Sequence, residues 1–382
     1  MTNTWGPSVP PERSGRPEPH YMPPSTVHPS TAGQVTGAHP PMQPPGQFPP
    51  AQQWPPPPPP TGQPAPAAPA QAERGVGPVS TEPFLIPRHP VPTRGWQQTV
   101  YKLTGGRWNP GLSAAEQEDL QLRASVTRPL RGTRRIAVLS RKGGVGKTTT
   151  TVGLGSTLAV HRGDRVIGLD GNPDAGNLAE RIHGENEATV RDLINGADKI
   201  ASYTDIRGYT SQAGSRLEVV AADQDPEISE AFNEQDYLRV QQILGSYYNI
   251  LLTDCGTGVL HSAMRGILAT ADDLVIVVGI ALDGVRKAGQ TLDWLDAHGH
   301  GDLVRNAVAV LSPVNGGKIA SRKVPTIDKA SMREYFESRC RVVVEIPPDP
   351  HLVAGAEIRI DELAPATRRA YLQLAAAITE RF

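Results

Sequence analysis

The sequence predicts a doubly wound α/β domain with a mostly parallel sheet, preceded by a disordered proline-rich tail. Three observations lead there. Short unbroken runs of Val, Ile and Leu recur from Ile136 onward, separated by segments long enough for a helix, as strands buried on both faces of a parallel sheet require. A glycine-rich loop follows the first of these runs and opens a helix, which is how nucleotide-binding α/β folds begin. Most of the 38 prolines fall before Pro92, including the run Pro55 to Pro60, whereas the rest of the 382 residues have ordinary globular composition and length enough for a substantial core.

Residues 1–82 consist largely of Pro, Gln, Ala, Gly and Ser with little charge. Such a segment cannot bury enough apolar surface to offset its ordering entropy, so disorder with polyproline-II bias is expected. Its aromatics Trp5, Tyr21, Phe48 and Trp54 fit either anchors for a partner or a solvated spacer. Residues 83–132 read as a docking segment, because 83–87 and 95–103 carry apolar residues that a linker does not need. Within it, Ser113-Ala114-Ala115-Glu116 forms a capping box that opens a short helix through about Ala124. Arg128, Arg131, Arg134 and Arg135 form a basic cluster expected on a solvated surface, with contact to a phosphate or an acidic partner as the other reading. The domain proper, 133–382, should place strands at 136–139, 166–169, 217–221, 249–253, 274–278, 307–311 and 342–346. Helices are expected at 147–161, 177–182 and 365–382, the last with Tyr371, Leu374, Ala375 and Ile378 facing the core.

Bulk chemistry narrows the function. With 38 basic against 39 acidic residues and a net charge of −1, electrostatics gives no case for nucleic acid or an anionic membrane. Cys255 and Cys340 are the only cysteines; each stands in an apolar, strand-like setting and is expected as a reduced, buried thiol. Neither they nor the histidines show metal-ligand spacing. No apolar run reaches the length of a membrane span and no signal-peptide order opens the chain, so a cytoplasmic protein without an integral membrane segment is expected.

The chemistry concentrates in Lys142-Gly143-Gly144-Val145-Gly146-Lys147-Thr148-Thr149. Glycines let backbone amides turn inward around phosphates, and the helix N-terminus adds its positive end. Lys147 would reach the β- and γ-phosphates of ATP, and the Thr148 hydroxyl would ligate Mg²⁺. The strict phosphate-loop pattern asks for Gly where Arg141 stands. Further along, Ile250-Leu251-Leu252-Thr253-Asp254 is an apolar strand ending in an acid, which places Asp254 to hold a Mg²⁺-bound water.

Lys-Gly-Gly-x-Gly-Lys-Thr resembles the deviant Walker A signature of the MinD/ParA ATPases, P-loop NTPases. The resemblance implies that Lys142 contacts nucleotide across a dimer interface, so that ATP binding and homodimerisation are coupled. The stretch Val166-Ile167-Gly168-Leu169-Asp170-Gly171-Asn172-Pro173 resembles the family's second strand, which ends Asp-x-Asp-Pro. Asp170 matches the first aspartate, implying a role near Mg²⁺ and in catalysis. The second aspartate, tied to hydrolysis, is replaced by Asn172, which can orient a water but cannot take its proton. Slow turnover follows, with Asp170 or Asp174 as possible compensation. The stretch from Gly95-Trp96 to Leu103-Thr104-Gly105-Gly106, with Arg131-Gly132, is similar to the EspI-like group of these ATPases, encoded with type VII (ESX) secretion systems and often carrying a proline-rich extension.

The resemblance therefore implies an ATP-dependent dimerisation switch serving a membrane-bound secretion apparatus, to which the tail would recruit it. A partition ATPase binding DNA as an ATP dimer, with Arg368, Arg369 and Arg381 on phosphates, is the alternative the charge balance disfavours. A non-hydrolysing ATP-bound scaffold, motivated by Asn172, is the third reading. The loop 347–350 is expected to flank the adenine.

Overall fold

The computed structural model describes residues 90–172, 176–184, 186–223, 225, 232–258, 261–313 and 328–382. The expectations for 1–82, for 83–89 and for Asp174 fall outside the described residues. Eight strands form one sheet: β1 (Arg134–Leu139), β2 (Val166–Gly171), β3 (Ser211–Gln212), β4 (Glu218–Val220), β5 (Ile250–Cys255), β6 (Asp273–Gly279), β7 (Val308–Ser312) and β8 (Val342–Glu345). Their order is β3-β4-β2-β5-β1-β6-β7-β8. Every neighbouring pair is parallel except β3 with β4. The seven apolar runs are strands with ends shifted by a residue or two; β3, short and without an apolar run, had no signature to read.

The described residues form twelve helices: α1 (Gly95–Leu103), α2 (Ala114–Val126), α3 (Lys147–His161), α4 (Val190–Asn195), α5 (Tyr203–Arg207), α6 (Glu234–Gly245), α7 (Ser262–Thr270), α8 (Leu282–Ala297), α9 (Gly301–Asn306), α10 (Lys329–Glu337), α11 (Pro350–Val353) and α12 (Pro365–Thr379). The helix expected over 177–182 is a single 3₁₀ turn, Ala179–Ile182.

Alternation along the strands separates two cores. Ile136 and Val138 of β1 pack with Leu154 and Leu158 of α3 and with Tyr371, Leu374 and Ile378 of α12. Ala137 and Leu139 point the other way, toward Val240, Leu244, Ile267 and Leu292 of α6, α7 and α8. The stripe of the last helix thus faces the core. α12 approaches α3 so closely that a Cβ on Gly153 would stand 2.3 Å from Tyr371 Cζ. From β1 the chain crosses to β2 on one side and later to β6, β7 and β8 on the other. Such a reversal opens a crevice at the carboxyl end of the central strand.

Long-range ion pairs occupy several of the arginines singled out above. Arg134 Nε lies 2.6 Å from Asp273, and Arg135 3.6 Å from Asp272, so half of the basic cluster ties β1 to the start of β6. Arg381 reaches the same buried Asp273 at 3.1 Å, and Arg369 is paired with Glu118 and Asp119. Arg368 donates to the Asp361 carbonyl. Both cysteines are free and buried, although Cys340 sits in the bend before β8 rather than in a strand. Among the described residues no helix is long and apolar enough to cross a membrane.

The segment ahead of the sheet is held by one carboxylate. Ser113 and Glu116 form the reciprocal capping box of α2. Glu116 Oε1 also accepts from Thr93 N at 2.7 Å, Thr93 Oγ1 at 2.8 Å and Arg94 N at 2.9 Å. In contrast, no residue of α1 is buried, and Trp96 is left 63% exposed. Hydrogen bonds from Ser113 and Thr93 lower the Glu116 pKa from 4.5 to about 2. A carboxyl depressed by folding contributes stability above its unfolded pKa and loses it as pH falls through the folded one. Protection of the Thr93 and Arg94 amides in hydrogen exchange, corrected for intrinsic rates, should therefore decay between pH 4.5 and 2. Glu116→Gln should lose it already at pH 7, and unchanged protection in that variant would refute the staple.

Candidate nucleotide site

The crevice is occupied by the loop between β1 and α3. Gly144 and Gly146 adopt φ of +71° and +92°, in the left-handed region that favours glycine. At Gly146 space matters as well, since a Cβ there would lie 3.0 Å from Ser312 Oγ. Val145 is buried and anchors the loop, while Gly143 and Gly144 stay exposed. Gly146 is the N-cap of α3, so Lys147, Thr148 and Thr149 form its first turn. The amides of that turn are the helix's unsatisfied donors, and they carry the positive end of its dipole. Arg141, at the place of the missing glycine, is exposed.

Lys142 is not directed at random. Its Nζ lies 2.7 Å from Asp283 Oδ2, in the first turn of α8. The Lys142 hydrogen bond lowers the Asp283 pKa. The two side chains are 21% and 49% exposed, and a pair this open to water is worth only about 0–1 kcal/mol.

Two buried carboxylates face the loop from adjacent strands. Asp170 and Asp254 are direct register partners in β2 and β5, each almost fully buried. Burial and the neighbouring Asp254 charge push the Asp170 pKa up, against the amides of Leu178 and Asn172 and the Lys147 ammonium. Burial likewise raises Asp254, opposed by the Thr148 hydroxyl, Lys147 and the Thr151 hydroxyl. Leu178 N donates to Asp170 Oδ2 at 2.9 Å, and Asn172 N to Oδ1 at 3.2 Å. Asn172 thus lies where β2 ends, beside the carboxylate pair.

A cleft of about 490 Å³ runs from Gly144, Gly146 and Thr149 past Ser312 and Pro313 to Ile346, Pro347, Asp349, Leu352 and Val353, with Tyr371 beneath. The loop after β8 therefore lines the same cleft as the phosphate loop. Asp349 is itself structural: buried, it accepts from His351 N and Ala364 N at 2.9 and 2.8 Å. The fold brings Lys142, Gly143, Gly144, Val145, Gly146, Lys147, Thr148, Thr149, Asp170, Asn172 and Asp254 to one end of β1, β2 and β5. Sequence reasoning missed Asp283, Ser312, Tyr371 and Arg181, whose Nη2 donates to Thr149 Oγ1 at 3.1 Å. None stands in a motif; only the fold brings them near the loop.

Known proteins share the sequence and the fold of this chain. Residues 133–303 match the AAA domain family AAA_31. The chain is 39% identical over 295 residues to the ESX-1 secretion-associated protein EspI of Mycobacterium tuberculosis, covering 76% of this chain and 43% of EspI. The chain thus spans less than half the length of that relative. It is 30% identical over 188 residues to the sporulation initiation inhibitor protein Soj of Bacillus subtilis, covering 45% of this chain and 70% of Soj. A ParA family ATPase from Chlorobium tepidum shares the fold with a TM-score of 0.53 at 18% identity, over 64% of this chain and 99% of that one. On its phosphate loop, its sheet and these relatives, the chain belongs to the MinD/ParA-type ATPase family and is a homologue of EspI.

Proposed function

We propose that this chain is an ATP-dependent dimerisation switch that acts with a type VII secretion apparatus. The observation that carries it is the phosphate loop with Lys142 beside it, set at the open end of β1 in a cleft of about 490 Å³ that the 347–353 segment also lines. Gly143 to Thr149 would cradle the phosphates of ATP, with Lys147 on the β- and γ-phosphates. Thr148, Asp170 and Asp254 offer only hard oxygen donors, and among the described residues no larger cluster of metal-ligating side chains exists. That set suits Mg²⁺, which takes one or two carboxylates together with substrate phosphates. When bound, Mg²⁺ would supply charge neutralisation at the phosphates. Asp170 and Asp254, buried side by side, both resist ionisation, and a cation bound beside them would favour their charged forms.

Lys142 would serve the nucleotide of a second copy of the chain. Its contact with Asp283 is weak enough to be given up for a phosphate, because a charge-assisted bond in a closed interface outweighs a solvated pair. Lys147→Ala should weaken ATP binding by roughly ten- to a hundredfold, as expected for losing bonds to a charged group worth about 1.5–3 kcal/mol. Lys142→Ala should keep monomer binding and abolish the ATP-dependent dimer. Calorimetry and sedimentation of both variants test this, and a Lys142→Ala protein that still dimerises with ATP would count against the shared site.

Asn172 argues for slow hydrolysis, since phosphoryl transfer can proceed on positioning and electrostatics without a strong base. Asn172→Asp should raise the single-turnover rate, by at most the ~10²-fold at the low end of general-base effects. Labelled ATP on the purified dimer measures it; rapid wild-type turnover would overturn the slow switch, and none at all would favour a non-hydrolysing scaffold. The link to secretion rests on the likeness to EspI and on the proline-rich stretch 1–82. For the partition reading, the ion pairs already made by Arg369 and Arg381 remove two of the cations it would use.

A further inference from the structure

Arg181 is 7% exposed, and no ion pair with Asp or Glu involves it among the described residues; the groups that act on its charge are the Tyr371 phenol and its exposed neighbour Glu180. An arginine stays protonated in proteins, and burying its charge without a partner is expensive. Its guanidinium donates to a neutral oxygen, Thr149 Oγ1, at 3.1 Å. That is poor compensation for a buried guanidinium with five donors in a fixed fork.

The position is held from several sides. The Arg181 carbonyl accepts from Ile358 N at 2.8 Å, which fixes the 3₁₀ turn to the segment after α11. Tyr371 Oη donates to the Thr149 carbonyl at 3.3 Å, so Thr149 is gripped through both its backbone and its side chain. Thr149 lines the same cleft as Gly144, Gly146, Pro347 and Leu352. With Lys147 assigned to the β- and γ-phosphates in the proposal above, the phosphate next to the ribose is left to groups further along the first turn of α3, where Thr149 stands.

We propose that Arg181 is a nucleotide-binding residue of this chain, supplying the cation for the phosphate nearest the ribose. This rests on the cleft being an ATP site. The missing counter-charge of Arg181 is then the nucleotide itself, and the contact is common to ATP and ADP. Thr149 acts as the positioning residue that aims the guanidinium.

The test is the affinity of the full chain for ATP and for ADP, by calorimetry, with Arg181→Gln and Arg181→Lys. Arg181→Gln should weaken both nucleotides by the same factor, roughly tenfold or more for a lost charge-assisted bond. Arg181→Lys should recover most of it, within about threefold of wild type, because the charge is kept while the fork is lost. Lys147→Ala should instead penalise ATP more than ADP. Wild-type affinity in Arg181→Gln would overturn the proposal, as would equal loss in Arg181→Gln and Arg181→Lys, which marks a packing role. A loss confined to ATP would also overturn it. Should Arg181→Gln fail to fold, Arg181→Met keeps the stem and is judged by the same ratios. If the wild type binds neither nucleotide, the ATP reading itself falls, which is a different result from a variant that matches a binding wild type.

Discussion

The parallel register of β2 and β5 sets Asp170 directly beside Asp254, and the rest of the site is arranged around that pair. Two carboxylates in a dry layer repel each other and both resist ionisation. The protein answers with an ammonium from Lys147, hydroxyls from Thr148 and Thr151, and the amides of Leu178 and Asn172. Each of these comes from the first turn or two of α3 or from the chain just past β2. The phosphate loop and the end of β2 are therefore coupled through the electrostatics of one buried pair. A charge arriving at the loop changes the balance at both.

The sheet was legible because its signal is local. Seven apolar runs, each long enough for a strand and bounded by turns, leave little choice once both faces are buried. The phosphate loop was legible for a similar reason, since its glycines answer to backbone demands at Gly144 and Gly146. What escaped was either short or distant. β3 has two residues, and the helix read over 177–182 contracted to one 3₁₀ turn. Arg134 with Asp273 and Lys142 with Asp283 join residues well over a hundred positions apart. Nothing in the basic cluster foretells that half of it is neutralised by the start of β6. Arg181 carried no motif at all; its interest comes from burial, which a single sequence does not display.

The front of the described chain follows a different logic. Glu116 gathers five donors, two of them from its own capping box and three from Thr93 and Arg94. Polar geometry rather than apolar burial fixes residues 93 and 94. Immediately afterwards α1 lies on the surface with Trp96 and Leu103 exposed. Among the described residues, none of this helix is buried.

Gly153 and Tyr371 carry a consequence for how such a sequence can drift. Any side chain at 153 would displace the phenol ring, so a larger residue there is admissible only with a smaller one at 371. That exchange would restore the packing of α3 on α12 and still remove the hydroxyl that donates to Thr149. Two positions that look like ordinary helix packing are thereby bound to the loop that faces the cleft. Descendants of this chain can repack that contact freely only by surrendering a grip on Thr149.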